Sequence, residues 1–361
     1  MTDTDVIHAR DLRPRHLRRR RKRAFTKTLL TVAATGIVAV GAASLTGLAA
    51  QAAPTTTATA AATATAGNVI ANGRFNSGLD GWTAGSKTTA PVSPTSAPTP
   101  PPAPNTPAGW KLVWNDEFNG TSIDKTKWNV DNRSTYGDGN HELACLMDRA
   151  ENVKTAGGLL TITARKEATP IQCGTKDSRF PNGRSYTSAM LSTKSKVDFE
   201  YGRFEVRAKT PLTQGASKGL WPAFWMRPTT GGIGELDILE AVGTGKADPF
   251  TANRLVHTIH YDYIGTHPPE VQNYTLPTGT TADGFHSYAV EWAPGSITWY
   301  VDGRRSFERN LSTTSWLDQA FGKNFYLRLN LAVGGNWPGS PDADTAFPAT
   351  YQVDYVRVYQ R

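Results

Sequence analysis

Three carboxylates fall within six residues in the segment Gly234-Glu235-Leu236-Asp237-Ile238-Leu239-Glu240. Carboxyl groups crowded together ionise unequally, so one can stay protonated as an acid while another carries charge as a nucleophile or base. On a strand, side chains alternate between faces. Glu235 and Asp237 therefore share one face, and Leu236 and Ile238 point to the other, into a core. Simple alternation sends Glu240 to the aliphatic side. One extra residue absorbed in a β-bulge near Ile238-Leu239 returns it to the face of the other two. Three acids on one strip repel each other and lower strand propensity, so the arrangement calls for a return in function. The competing reading of the spacing alone is a solvated strand face.

The elements that must position these residues run from Trp110 to Arg361. This stretch is built of short alternating or β-branched segments punctuated by Gly, Asn and Asp. Examples are Leu159–Ala164, Tyr201–Ala208, Tyr288–Trp292 and Ile297–Val301, the last leading into an Asp302-Gly303 hairpin turn. Helical periodicity is scarce, with a short turn expected at Ser315–Asp318. About 250 residues of short strands predict an all-β fold, a sandwich or jelly roll. Ten Trp and 12 Tyr supply core-filling rings and, where exposed, flat faces suited to sugars.

The formal charge of +8 is concentrated at the start of the chain. Residues 1–27 hold ten of the 39 Lys/Arg and three of the 31 Asp/Glu, leaving 29 and 28 for the remainder. The body carries no basic excess, which disfavours nucleic acid as a partner. The basic run Arg18–Arg23, a small-residue apolar stretch from Thr28 to about Ala50, and Ala50-Gln51-Ala52 form a secretory signal covering residues 1–52. A retained membrane anchor is the alternative, and the general and twin-arginine routes are both open. Export implies an extracellular protein with no stable membrane association once the signal is cleaved. Residues 53–66 (Ala/Thr) and 87–107 (Pro/Thr) read as extended linkers. Between them, residues 67–86 resemble the opening strand of a carbohydrate-binding module, a remnant too short to hold a core. Cys145 and Cys173 are the only cysteines. In an exported chain they are expected to bridge, closing a loop of about 28 residues worth roughly 3 kcal/mol; two buried thiols are the alternative.

Several stretches together resemble glycoside hydrolase family 16, in its bacterial laminarinase (endo-β-1,3-glucanase) branch. They are Trp114–Gly120, Tyr201–Lys209, Leu220–Met226, the acidic strand, Phe285–Trp292, Asn330–Gly339 and Val353–Tyr359, in the family's order. The resemblance implies a catalytic domain over residues 108–361: a jelly-roll sandwich of two antiparallel sheets with a concave substrate cleft, acting as a monomer. It makes Glu235 the nucleophile and Glu240 the general acid and then base, as retaining glycoside hydrolysis requires, with Asp237 coupling the two. The bulged Glu-x-Asp-x-x-Glu spacing goes with laminarinases, the unbulged Glu-x-Asp-x-Glu with mixed-linkage lichenases. Trp221, Trp225 and Trp337 are implied sugar platforms. His260 faces the cleft near the acid if Ile259 faces the core. Asn140 and Arg149 match the first cleft-edge segment, although Ala144–Met147 departs from the aromatic-rich pattern usual there. Glu117, Gly158 and Asp354 match a structural calcium site away from the cleft, with oxygen donors suited to that ion; no cofactor is implied for catalysis. Two other readings keep the fold: the same mechanism on β-1,3-galactan or mixed-linkage glucan, and a non-catalytic glucan-recognition protein, which would not need all three carboxylates.

Overall fold

The computed structural model describes residues 106–361 apart from 175–176 and 249–251. The segments read above as signal (1–52), first linker (53–66) and binding-module remnant (67–86) lie outside the described residues, as does all but the end of the second linker (87–107). The strands, in chain order, begin with β1 (Lys111–Asp116), β2 (Asn129–Val130), β3 (Ala144–Leu146), β4 (Val153–Ala156), β5 (Leu159–Ile171) and β6 (Arg184–Ser188). They continue with β7 (Met190–Ser192), β8 (Gly202–Lys209), β9 (Leu220–Pro228), β10 (Glu235–Glu240), β11 (Arg254–His260) and β12 (Glu270–Thr275). The last are β13 (His286–Ala293), β14 (Ser296–Val301), β15 (Arg304–Asn310), β16 (Phe325–Val333) and β17 (Ala349–Gln360). The turn expected near Trp316 opens a one-turn helix, α1 (Leu317–Phe321), which buries Leu317, Ala320 and Phe321.

The strands form two sheets. The larger runs β15-β14-β13-β8-β17-β5-β6-β3, with β1 beside β17 and β4 beside β5. The smaller runs β12-β11-β10-β9-β16-β7-β2. Alternation accounts for the strands directly: in β5, Leu160, Ile162 and Ala164 are buried between partly exposed neighbours, and in β14 so are Ile297, Trp299 and Val301. Between the sheets lies an aromatic-rich core in which Trp128, Trp292, Trp299, Phe204, Phe224 and Phe325 are fully buried. Each such ring contributes on the order of 1.5–3 kcal/mol by leaving water.

One pair departs from the expected antiparallel pattern. β3 lies parallel to β6, Cys145 opposite Thr187. Parallel neighbours need a long crossover, and here the connection carries β4 and β5. Cys145 of this short strand is bonded to Cys173, with Cα atoms 5.2 Å apart and a sequence separation of 28. Between β4 and β5 the turn is Gly157-Gly158, with φ of +60° and +76°, left-handed values that glycine adopts without strain. Among the described residues no helix is long and apolar enough to cross a membrane.

Candidate active site

The acidic segment forms β10, an interior strand of the smaller sheet between β9 and β11. Leu236 pairs with Met226 and Leu239 with Phe224, all four fully buried, so this face belongs to the core. Asp237 pairs with Trp225, and Glu240 with Ala223. Across the other edge, Glu235 pairs with His260, Asp237 with Thr258 and Glu240 with Val256. Between Asp237 and Glu240 the register shifts on both sides. That is the extra residue expected near Ile238-Leu239. Both of these side chains enter the core, and Glu240 emerges on the face of Glu235 and Asp237.

Although this face is turned away from the core, Glu235, Asp237 and Glu240 are only 8%, 2% and 9% exposed. The side chains around them explain this. Trp221 donates its indole N–H to Glu240 Oε1 at 3.0 Å. Arg227 Nη1 donates to Glu235 Oε2 at 3.0 Å and approaches the Tyr263 hydroxyl at 2.5 Å. His260 Nε2 stands 3.6 Å from Glu235 Oε1 and 3.4 Å from Asp237 Oδ2. Asp237 Oδ2 itself is buried without a hydrogen-bond partner.

Burial, then the negative charges of Asp237 and Glu235, push the Glu240 carboxyl well above the usual range, against the opposing pull of His260 and the Trp221 N–H. Asp237 is pushed up in the same direction, first by burial and then by Glu235, with Arg227 opposing. Burial alone would weaken the Arg227 charge, but the Glu235 carboxylate more than offsets it and raises its pKa. One carboxylate backed by a guanidinium and one carboxyl pushed toward its protonated form, on the same strand face, are groups that can serve as a nucleophile and an acid. Glu235, Asp237 and His260 also bring one potential ligand atom each within 4.8 Å of one another. Arg227 already occupies one side of that group.

The remaining expected residues divide. Trp337 is 43% exposed and meets Trp221 edge-on, ring centroids 5.1 Å apart. Trp225 donates to Asn330 Oδ1 at 2.7 Å and carries the Arg328 guanidinium over its ring at 4.1 Å. Ile259 is in the core, and His260 accordingly lies on the open face, against Glu235 and Asp237 rather than hydrogen-bonded to Glu240. Asn140 is tied to the loop that bears Trp337: its carbonyl accepts from Asn336 N at 2.7 Å. Arg149 is not brought to the acids. Its guanidinium is engaged by Glu167, Thr187 and Asn152.

Of the residues matched to a calcium site, Glu117 is held in two-pronged fashion by Arg357, Nε and Nη2 each at 2.8 Å. Burial would raise its carboxyl, but the Arg357 and Asn115 bonds bring it below the usual value. Asp354 Oδ2 accepts from Arg207 Nη1 at 2.5 Å. Both carboxylates are already neutralised, so the arrangement as it stands does not fit a calcium ion.

Arg227 and Tyr263 were missed by sequence reasoning. Arg227 follows Trp225 by two on β9 and is half-buried like Trp221 and Trp225, so strand alternation from the implied sugar platform Trp225 was a usable signal. Tyr263 lies in the loop after β11, where periodicity says nothing.

Known proteins share this sequence and fold. The sequence profile of Glycosyl hydrolases family 16 matches residues 139–357. A β-glucanase of Rhodothermus marinus is 40% identical over 268 residues, covering 70% of this chain and 85% of that one. The glucan endo-1,3-β-glucosidase A1 of Niallia circulans is 36% identical over 281 residues, 70% of this chain and 38% of the longer relative. Among solved structures, the endo-β-1,3-glucanase of Pyrococcus furiosus superposes with a TM-score of 0.59 at 36% identity, covering 70% of this chain and 94% of that one. The fold is that of a glycoside hydrolase with a jelly-roll sandwich. The chain belongs to glycosyl hydrolase family 16.

Proposed function

We propose that the protein is an exported, retaining endo-β-1,3-glucanase acting on laminarin-like chains. The observation that carries this reading is the bulge between Asp237 and Glu240, which puts a carboxyl held protonated on the same face as an arginine-backed carboxylate. Glu235 attacks the anomeric carbon while Glu240 protonates the departing glycosidic oxygen, giving a glycosyl ester on Glu235. Glu240, now ionised, takes a proton from water, which attacks the same carbon and releases the sugar with its configuration retained. Such a pair works at a separation of about 5–5.5 Å. The two carboxyl groups carry the double displacement by themselves. Asp237, pushed toward its protonated form, sits between them and limits the build-up of like charge. Trp221, Trp225 and Trp337 offer ring faces for glucose units, and sites along an open sheet face suit cleavage within a chain. The relatives named for β-1,3-glucan cleavage support the substrate class, and the Cys145–Cys173 bond suits an oxidising compartment.

Reducing-sugar release should be compared on laminarin, lichenan and β-1,3-galactan, with the anomer formed first followed by NMR. Preference for laminarin with a β-anomer product is expected, and Glu235→Gln or Glu240→Gln should abolish release while leaving the fold intact. Preference for another glycan would overturn the substrate, an α-anomer the mechanism, and full activity in either variant the site.

A further inference from the structure

The bulge that places Glu240 is tied down from the core side. Between the Asp237–Thr258 and Glu240–Val256 pairs, Ile238 and Leu239 stand opposite the single residue His257. Ile238 has no register partner on β9 either. A buried carbonyl left unpaired is destabilising, and the Ile238 carbonyl is not left so: His257 Nδ1–H donates to it at 2.8 Å. The preceding carbonyl, of Asp237, accepts the Trp299 indole N–H at 2.9 Å. Both rings are fully buried, 6.1 Å apart between centroids, and neither reaches the open face. Trp299 belongs to β14 of the opposite sheet. So does the next link, for His257 Nε2 accepts from the Ser306 hydroxyl of β15 at 2.8 Å. Burial brings the His257 pKa down to about 4, against the pull of the Ile238 carbonyl. Above that pH the ring is neutral, with its one proton on the nitrogen that the carbonyl requires.

We propose that Trp299, His257 and Ser306 are positioning residues for Glu240, clamping the bulge so that the acid is presented toward the nucleophile. This rests on the reading of Glu240 as the acid and base. On the β11 side no backbone pairing restrains the chain between Asp237 and Glu240. Slack at Ile238 therefore passes to a carboxyl two residues on, and a displacement of about 1 Å at a reacting group can cost about 100-fold in rate. The rings that bind sugar lie elsewhere, so the clamp affects proton transfer and leaves binding alone.

The test separates acid catalysis from everything else. Laminarin needs its leaving oxygen protonated; a dinitrophenyl β-laminaribioside, whose phenolate leaves unaided, does not. In Trp299→Phe and His257→Leu, kcat/KM on laminarin should fall about 10- to 100-fold, with KM little changed and the dinitrophenyl substrate nearly unaffected. His257→Asn, which keeps an amide N–H near the place of Nδ1, should recover most of the loss. Should His257→Leu fail to fold by near-UV circular dichroism, Trp299→Phe, which keeps an aromatic ring, decides alone. Unchanged laminarin activity, or equal loss on both substrates, would overturn the clamp. Glu240→Gln is the control. If it too loses both substrates equally, the assignment of Glu240 fails; if it discriminates and the clamp variants do not, only the clamp does.

Discussion

Replacing Trp221 by Phe keeps a ring on the open face and removes an N–H that reaches Glu240. In the native protein this N–H lies 3.0 Å from Glu240 Oε1 and favours the ionised form, opposing burial and the neighbouring charges. A hydrogen bond to a charged group contributes about 1.5–3 kcal/mol. The protonated acid also uses part of that bond, so roughly half of it distinguishes the two states. At about 1.4 kcal/mol per pH unit, removing the donor should raise the Glu240 pKa further, by about half a pH unit to one. The sign follows from the chemistry: losing a donor to the carboxylate leaves the acid protonated to higher pH. The alkaline limb of kcat/KM, which reports the free enzyme's essential acid, should move upward by that amount, with the acid limb held. The assay is initial-rate hydrolysis of laminarin across pH, normalised at each variant's optimum so that altered stacking cancels. An alkaline limb that stays put, or moves down, would refute the link between Trp221 and the acid.

Two further outcomes concern stability. Replacing both Cys145 and Cys173 by Ala removes the crosslink across a separation of 28 residues, worth about 3–4 kcal/mol by loop entropy; a lower urea midpoint should show it, and no change would mean that the loop is ordered without it. The His257 ring should make stability depend on pH, because its pKa falls from 6.5 to about 4 on folding. Its contribution is complete above the unfolded value and is lost as pH falls toward 4, where the unfolded chain takes up a proton that the fold refuses, a cost of about 3 kcal/mol. Asp237 and Glu240 act with the opposite sign, since their raised values stabilise the fold below the unfolded carboxyl pKa and lose that contribution as pH rises. Urea unfolding at pH 7 and pH 4.5, wild type against His257→Asn, isolates the histidine: the variant should lose less on acidification, and an equal loss would refute its buried neutral state.

What the sequence disclosed and what it hid have physical reasons. The bulge was legible because three acids and three aliphatics cannot all satisfy a period of two in six residues, so the misfit itself located the extra residue. The jelly roll was legible from strand texture and motif order. The clamp was not, because Trp299 reaches the Asp237 carbonyl of β10, and Ser306 reaches His257 of β11, from the opposite sheet, some 60 residues away in the chain for Trp299, and no local pattern encodes that approach. Arg149 and Glu167 are 18 residues apart, and nothing near Arg149 in the chain announces the partner that engages it. The calcium match read Glu117 and Asp354 as oxygen donors without their arginines, Arg357 and Arg207, which a strand-by-strand reading leaves on other segments. His260 was expected to face the cleft near the acid; antiparallel register sets it on the open face opposite Glu235.

The bulge also bears on how such a strand can change by mutation. Losing one codon from a central strand normally inverts the parity of everything beyond it, turning core residues to water. Here the loss of Ile238 or Leu239 would leave Glu235, Asp237 and the last glutamate on one face, because the extra residue had already been spent in the bulge. The shared face of the three acids would survive a deletion that would ruin an ordinary strand, while the carbonyls held by His257 and Trp299 would lose their geometry. Two spacings of the same three acids are thus one codon apart, and the residues that must adjust when the frame changes lie in the core rather than in the cleft.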